Sequence, residues 1–115
     1  MTMTKTNLAT AVLQRLGVIG TGETPDANDA ALVTTRYESL YPQLRKIGLA
    51  PFSETSIDTW AETGVTKIVA AECGPEFGWS DRIQLLELWR NQGKKELREQ
   101  VAMEPRNHEI RAHYI

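Results

Sequence analysis

Several features that would point to a particular chemistry are scarce in this chain of 115 residues. A single cysteine, Cys73, excludes an intrachain disulfide and favours a protein that is made in a reducing compartment. With 13 basic and 15 acidic residues, the net charge is −2, so the chain lacks the basic excess of free nucleic-acid-binding proteins. Long apolar runs are also missing, so we expect neither a secretory signal nor a membrane-spanning helix.

The chain does have helical periodicity. Apolar residues recur at spacings of three and four along four segments, which predicts four amphipathic helices. These cover residues 6–16, residues 25–47 after the N-cap Thr24, residues 65–77, and a long segment that follows the N-cap Ser80 and ends near residue 103. We therefore predict an all-α fold: a small four-helix bundle-like domain at residues 1–103 with a long C-terminal helix, followed by an extended C-terminal tail at residues 104–115.

Two residues interrupt this helical pattern. Pro42 removes a backbone donor inside the second helix, yet the apolar stripe stays in register as far as Ile47. We therefore expect a kinked helix or two collinear pieces. Gly93 is a gap in the apolar ridge of the fourth helix, where glycine costs about 1 kcal/mol relative to alanine. Either another helix crosses closely at Gly93, or the fourth helix bends or ends there. The ridge around Gly93 consists of Leu85, Trp89, Leu97 and Val101, thickened by Leu86 and Leu88.

Residues 49–64 are predicted to be irregular, because turn-forming residues are frequent there. Their apolar side chains either fold back over the edge of the core or dock on a partner, and the first interpretation is favoured because scattered surface apolar residues are normal. Tryptophan is enriched at protein interfaces, and two tryptophans flank the third helix. The candidate interface with a neighbouring subunit or a tail component consists of Phe52, Trp60, Trp79 and Gly93.

The reactive side chains do not converge on a site. His108 and His113 are five residues apart rather than four and have no cysteine nearby, so no zinc site is expected. Cys73 lies on an apolar helical face, where a free cysteine usually behaves as a small buried hydrophobic residue. Glu72 and Glu76 are expected on a solvated helix face rather than in an acid–base pair. We predict no catalytic residue, no cofactor and no metal.

Four passages together form a familiar pattern. The first is KTNLA at residues 5–9, which leads through Val12-Leu13 to LGV at 16–18. The second is the acidic, alanine-rich DANDAA at 26–31 before a helix with Tyr37 and Leu40. The third is residues 57–60 before an apolar helix with IVAA at 68–71 that ends in Phe77-Gly78, and the fourth is a long polar helix that gives way to an extended end. Over most of residues 5–103 the chain resembles the head-to-tail adaptor proteins of tailed bacteriophages, which complete the head and stabilise packaged DNA.

This resemblance implies an all-helical, non-enzymatic virion protein that is made in the host cytoplasm and acts at the head–tail junction. It implies a homo-oligomeric ring, typically dodecameric, between the portal protein and a tail or nozzle protein, with no membrane contact. Genomic DNA would pass through the lumen without sequence-specific binding and be retained in the head. The C-terminal segment would become ordered against the portal, with anchors at Arg106, Ile110, Arg111 and Tyr114.

Two other functions compete with the adaptor interpretation. The first two helices resemble a helix-turn-helix DNA-binding regulator in order, but their glycine-rich linker is longer than the usual short turn. The second helix also begins with acidic residues, where a regulator would need base contacts. An enzyme is disfavoured because no convergent set of polar residues is evident. A structural ring suits the residues themselves, since such rings need two different contact surfaces on each subunit.

Overall fold

A computed structural model, in which residues 2–103 are described, has one helix at the centre and three packed around it. The helices are α1 (Lys5–Arg15), α2 (Ala27–Lys46), α3 (Glu62–Cys73) and α4 (Ile83–Met103). Short 3-10 helices at Thr59–Ala61 and Gly74–Phe77 flank α3, and two-residue strands β1 (Thr2–Met3) and β2 (Ile57–Asp58) pair antiparallel. The predicted all-α class is confirmed. The predicted tail, with Arg106, Ile110, Arg111 and Tyr114, lies outside the described residues.

The central helix is α3. Eight of its twelve residues are buried, so it lacks the polar face that a surface helix would have. The other three helices pack on it, and α2 and α4 contact α3 rather than forming a substantial contact with each other. Each fully buried large apolar side chain contributes about 1.5–3 kcal/mol to folding. The largest fully buried side chains are Leu8, Val12, Leu13, Val33, Tyr37, Ile57, Val65, Ile68, Val69 and Leu97.

The structure corrects three predicted helix starts. The N-cap of α2 is Asp26 rather than Thr24, because the Asp26 carboxylate accepts a hydrogen bond of 3.0 Å from the backbone N–H of Asn28. The third helix starts three residues earlier than predicted, at Glu62. The fourth starts later than predicted, at Ile83, because a turn in which the N–H of Arg82 bonds to the carbonyl of Trp79 precedes it.

Pro42 lies at an exposed position of α2, which runs through it as one helix. The proline leaves one backbone carbonyl oxygen without its helical donor, and water can satisfy that oxygen at the surface.

The apolar stripes also need correction at their edges. Ile47 and Leu88 were both assigned to apolar ridges, yet their exposed fractions are 57% and 50%. Both residues therefore belong to the surface.

Residues 49–61 fold back over the core, as the favoured interpretation predicted. Phe52 is only 4% exposed and Ile57 is fully buried, while Trp60 packs partly buried against the same core. Two tyrosines of α2 hold the segment in place: the Tyr37 hydroxyl donates to the carbonyl of Glu54 at 2.9 Å, and the Tyr41 hydroxyl donates to the carbonyl of Phe52. The short strand β2 was not predicted from the sequence.

Helices α3 and α4 cross in close contact at two glycines. A Cβ atom added at Gly93 would lie 2.6 Å from the carbonyl oxygen of Gly64 and 2.6 Å from Cγ1 of Ile68. One of the two explanations for Gly93, a closely crossing helix, is therefore confirmed, and α4 continues past it. Gly64, assigned from the sequence to an irregular segment, instead lies in the first turn of α3 and supplies the other half of this crossing.

Candidate functional site

An open groove runs between α2 and α4, with α3 as its floor. Its cavity volume is about 280 Å³. The groove exists because α2 and α4 both pack on α3 and leave the space between them unfilled. Its apolar lining is formed by Leu40, Leu44, Ile47 and Ile68. With Ile47 more than half exposed at the rim, the groove offers apolar surface to a partner.

Charges of both signs line the same groove. Arg90 of α4 lies 3.4 Å from the carboxylate of Glu72 on the α3 floor and also pairs with Glu87 one turn earlier. Lys94 lines the groove one turn further along α4 and has no ion-pair partner among the residues described. An apolar floor with mixed charges at its edge is the arrangement of a docking groove for a helix or an extended segment.

A second feature is a row of four contacting side chains, in which two neighbouring tryptophans each carry an arginine over the ring. The guanidinium of Arg15, at the end of α1, lies 5.1 Å from the ring centre of Trp89 on α4. The Trp89 ring centre lies 5.1 Å from that of Trp79, with the two rings tilted by 45°, and the guanidinium of Arg82 lies over the Trp79 ring at 5.3 Å from its centre. The Trp79 indole N–H donates to the carbonyl of Leu16 at 3.1 Å, which anchors the row at the end of α1. We call these four residues the Arg–Trp ladder.

The structure separates the four residues that were predicted to form an interface. Phe52 and Gly93 are buried inside the monomer, so they offer no surface to a neighbouring subunit, and this part of the prediction is corrected. Trp60 is half-buried in an aromatic cluster with Phe52, and its indole N–H donates to Asp58 at 3.2 Å. Trp79 is also half-buried, and it is the only one of the four that lies in the ladder.

The reactive side chains within the described residues are used in packing and ion pairs. Cys73 is fully buried, and this burial raises the pKa of its thiol to about 12, so it stays protonated at neutral pH. Glu72 pairs with Arg90, and Glu76 pairs with Arg36 of α2. Both carboxylates thus link α3 and its C-terminal turn to neighbouring helices. Their side chains remain 39% and 34% exposed, in agreement with the predicted solvated face.

The burial of Cys73 predicts that its thiol is unreactive in the folded protein. At about pH 8, Cys73 should not react with Ellman's reagent in the folded protein, because the reagent attacks an exposed thiolate. One equivalent should react once guanidinium unfolds the chain. Introducing a second cysteine by Ser39→Cys, at an exposed position of α2, provides the control and should add one thiol that reacts without denaturant. Immediate reaction of the native chain would show that Cys73 is accessible.

The part of the chain that the structure describes contains neither a metal-binding cluster nor a membrane-spanning helix. Within residues 2–103, no three His, Cys, Asp or Glu side chains come together in a way that would hold a metal ion. Over the same part of the chain, none of the helices is long and apolar enough to cross a membrane. The histidines, His108 and His113, lie outside the described residues.

Comparisons with known proteins assign no function to this chain. The chain matches no protein-family model, no curated protein and no solved structure. The groove and the Arg–Trp ladder are therefore the two surfaces on which a function can be built. Sequence reasoning missed both, apart from Trp79, because each depends on helices that are distant in the chain. A partial signal existed in Trp89, which belongs to the predicted apolar ridge of the fourth helix, and in Trp79, which was predicted to lie at an interface.

Proposed function

We propose that this protein is a structural adaptor of a tailed bacteriophage, which forms a ring between the portal and the tail. The single observation that supports it most is the open groove between α2 and α4, because its apolar floor and charged edge suit docking of another chain rather than chemistry on a small molecule. In this role the ring extends the DNA channel, retains packaged DNA and acts in the virion without catalysis.

The two surfaces of the monomer support a ring in particular. A closed ring needs heterologous contacts, in which one surface of a subunit meets a different surface of its neighbour. The groove lies between α2 and α4, whereas the Arg–Trp ladder lies at the end of α1 and the start of α4. One chain therefore has distinct surfaces for a subunit neighbour and for the portal or tail protein.

The C-terminal segment remains part of the proposal on sequence grounds. Arg106, Ile110, Arg111 and Tyr114 are proposed to anchor the chain to the portal, where a segment that orders on binding can cover a large surface. Genomic DNA is proposed to pass the ring without sequence-specific contacts, which the net charge of −2 favours because a strongly basic lumen would hold the phosphates.

The alternative, a small helix-turn-helix regulator, is tested by a gel shift with phage operator DNA at low salt. The described structure favours the adaptor, because α1 ends at Arg15 and α2 begins only at Ala27. A helix-turn-helix motif joins its helices by a turn of about three or four residues. Sequence-specific retardation of the DNA would nevertheless reverse this choice.

The groove predicts a loss of binding in one surface variant. Purified chain is mixed with DNA-filled, tailless capsids of its own phage and with partner tail protein, and co-sedimentation is measured. Ile47→Gln should weaken capture of the groove partner by about tenfold or more, because burying a large apolar side chain contributes about 1.5–3 kcal/mol. The isolated fold should be unchanged, since Ile47 is 57% exposed.

Leu88→Gln is the matched control for this variant. Leu88 is 50% exposed, and its position two residues from Arg90 places it on the far side of α4 from the groove. Equal binding by the two variants and the native chain would show that the groove is not the docking surface. Failure of the native chain to bind capsids at all would count against the adaptor function itself.

A further inference from the structure

The Arg–Trp ladder carries two positive charges that no ion pair neutralises within residues 2–103. Arg82 is exposed and Arg15 is partly exposed, and neither guanidinium forms an ion pair with any carboxylate in the described part of the chain. Stacking on an indole uses the flat face of a guanidinium and leaves its N–H groups directed outward at the edge. These edges are suited to carboxylate or phosphate oxygens.

The geometry of the ladder disfavours nucleic acid as the occupant. Single-stranded nucleic acids bind by stacking bases on aromatic rings, but Arg15 already lies over the Trp89 ring and Arg82 over the Trp79 ring. A chain with a net charge of −2 also lacks the long-range attraction that brings a polyanion to a protein. Arginine and tryptophan are instead the residues most enriched at the energetic centres of protein–protein interfaces.

The chain itself contains a segment that complements the ladder. Between Leu16 and Thr35 there are three carboxylates and no lysine or arginine. These carboxylates belong to Glu23, Asp26 and Asp29, and none of them forms an ion pair within the described residues. We call residues 20–30 the acidic segment. Within residues 2–103, two guanidiniums and three carboxylates that form no ion pair are complementary in charge between two copies.

We propose that the Arg–Trp ladder of one copy binds the acidic segment of a second copy. This inference rests on the proposed ring and names the two surfaces of its subunit contact. Arg15 and Arg82 bind the carboxylates of Glu23 and Asp29, while Trp89 and Trp79 hold the two guanidiniums in place beneath them. Asp26 remains the N-cap of α2 and takes no part in the contact.

Charge reversal on each side, followed by mixing, tests this contact. One variant carries Arg15→Glu and Arg82→Glu, and the other carries Glu23→Lys and Asp29→Lys. The native chain should self-associate in sedimentation velocity at low salt and less so at high salt, since salt screens surface charges. Each variant alone should associate at least tenfold more weakly. Their equimolar mixture should associate like the native chain, because every contact between unlike variants again joins opposite charges.

Three controls keep this test decisive. Arg82→Glu alone should weaken association without affecting a helix, because Arg82 precedes α4, and circular dichroism verifies the fold of each variant. Arg98→Glu and Glu99→Lys change the same charges at exposed positions of α4 outside both surfaces and should leave association unchanged. A duplex DNA titration, followed by tryptophan fluorescence at low salt, should produce no change that depends on Arg15 and Arg82.

Several results would overturn the proposal. These are a native chain that stays monomeric at millimolar concentration, variants that associate like the native chain, a mixture that does not recover, and a DNA response that the ladder variants abolish. Capsid binding is measured separately from self-association, so the adaptor function and the ladder contact can be refuted independently of each other. If the native chain binds capsids but charge reversal leaves its self-association unchanged, only the ladder contact is refuted. Intact, ladder-dependent association without capsid binding refutes the adaptor function alone.

Discussion

Gly93→Leu should destabilise the protein by at least about 3 kcal/mol, the upper end of the usual cost of overpacking a core. Even a single Cβ at this position would lie 2.6 Å from the backbone oxygen of Gly64, and a backbone atom cannot move aside as a flexible side chain can. The rest of the leucine side chain would have to enter the contact between α3 and α4. We expect a lower midpoint of denaturant unfolding, measured by circular dichroism.

Two companion variants show whether the effect belongs to the crossing. Gly93→Ala should destabilise less, because alanine is smaller and regains about 1 kcal/mol of helix propensity. Gln92→Leu, at an exposed neighbouring position of α4, should change the unfolding free energy little. Unchanged stability of Gly93→Leu would mean that α3 and α4 do not approach closely at the two glycines.

Tyr37→Ala should cost about 3–5 kcal/mol, the usual range for removing a buried aromatic ring. Tyr37 is fully buried, packs edge-to-face on Tyr41 with ring centres 6.0 Å apart, and donates its hydroxyl to the carbonyl of Glu54. Its loss removes core volume and also one of the bonds that hold residues 49–61 over the core. Denaturant unfolding measures the change in free energy.

Tyr37→Phe separates the hydroxyl from the ring. It keeps nearly all of the core volume and removes only the hydrogen bond to Glu54, which should cost about 1 kcal/mol. Burial raises the pKa of the Tyr37 phenol, so the hydroxyl remains a donor throughout the neutral pH range. Equal losses in the alanine and phenylalanine variants would show that the ring contributes little and that the packing described for α2 is wrong.

The helices were predictable because their information is local. The apolar spacing that contains Leu8 and Val12 sets the buried face of α1. The gap at Gly93 predicts either a close crossing or a bend or end of the helix, and the structure has the crossing. Burial of Cys73 followed from its place on an apolar face. Local spacing does not fix where a helix begins, so Thr24 was preferred over the true cap Asp26, although both residue types cap helices well.

The surfaces were not predictable, because they depend on contacts between distant segments. Nothing near Gly64 in the sequence shows that it faces Gly93, twenty-nine positions further on. The Arg–Trp ladder likewise joins Arg15 to Trp89, and only the packed fold brings them together. Ile47 continued a helical stripe in the sequence, yet α2 and α4 leave the groove beside it open, so it is exposed. Periodicity identifies a face, whereas tertiary packing decides whether that face is covered.

Electron cryomicroscopy of the portal vertex can show whether the proposed ring forms there. DNA-filled, tailless capsids of the phage are incubated with the native chain or with a chain that ends at Met103. The account predicts a ring of additional density beneath the portal with the native chain, and none with the shortened chain, although both are folded. A native chain that is folded yet adds no density there, or that binds elsewhere on the capsid, would contradict it.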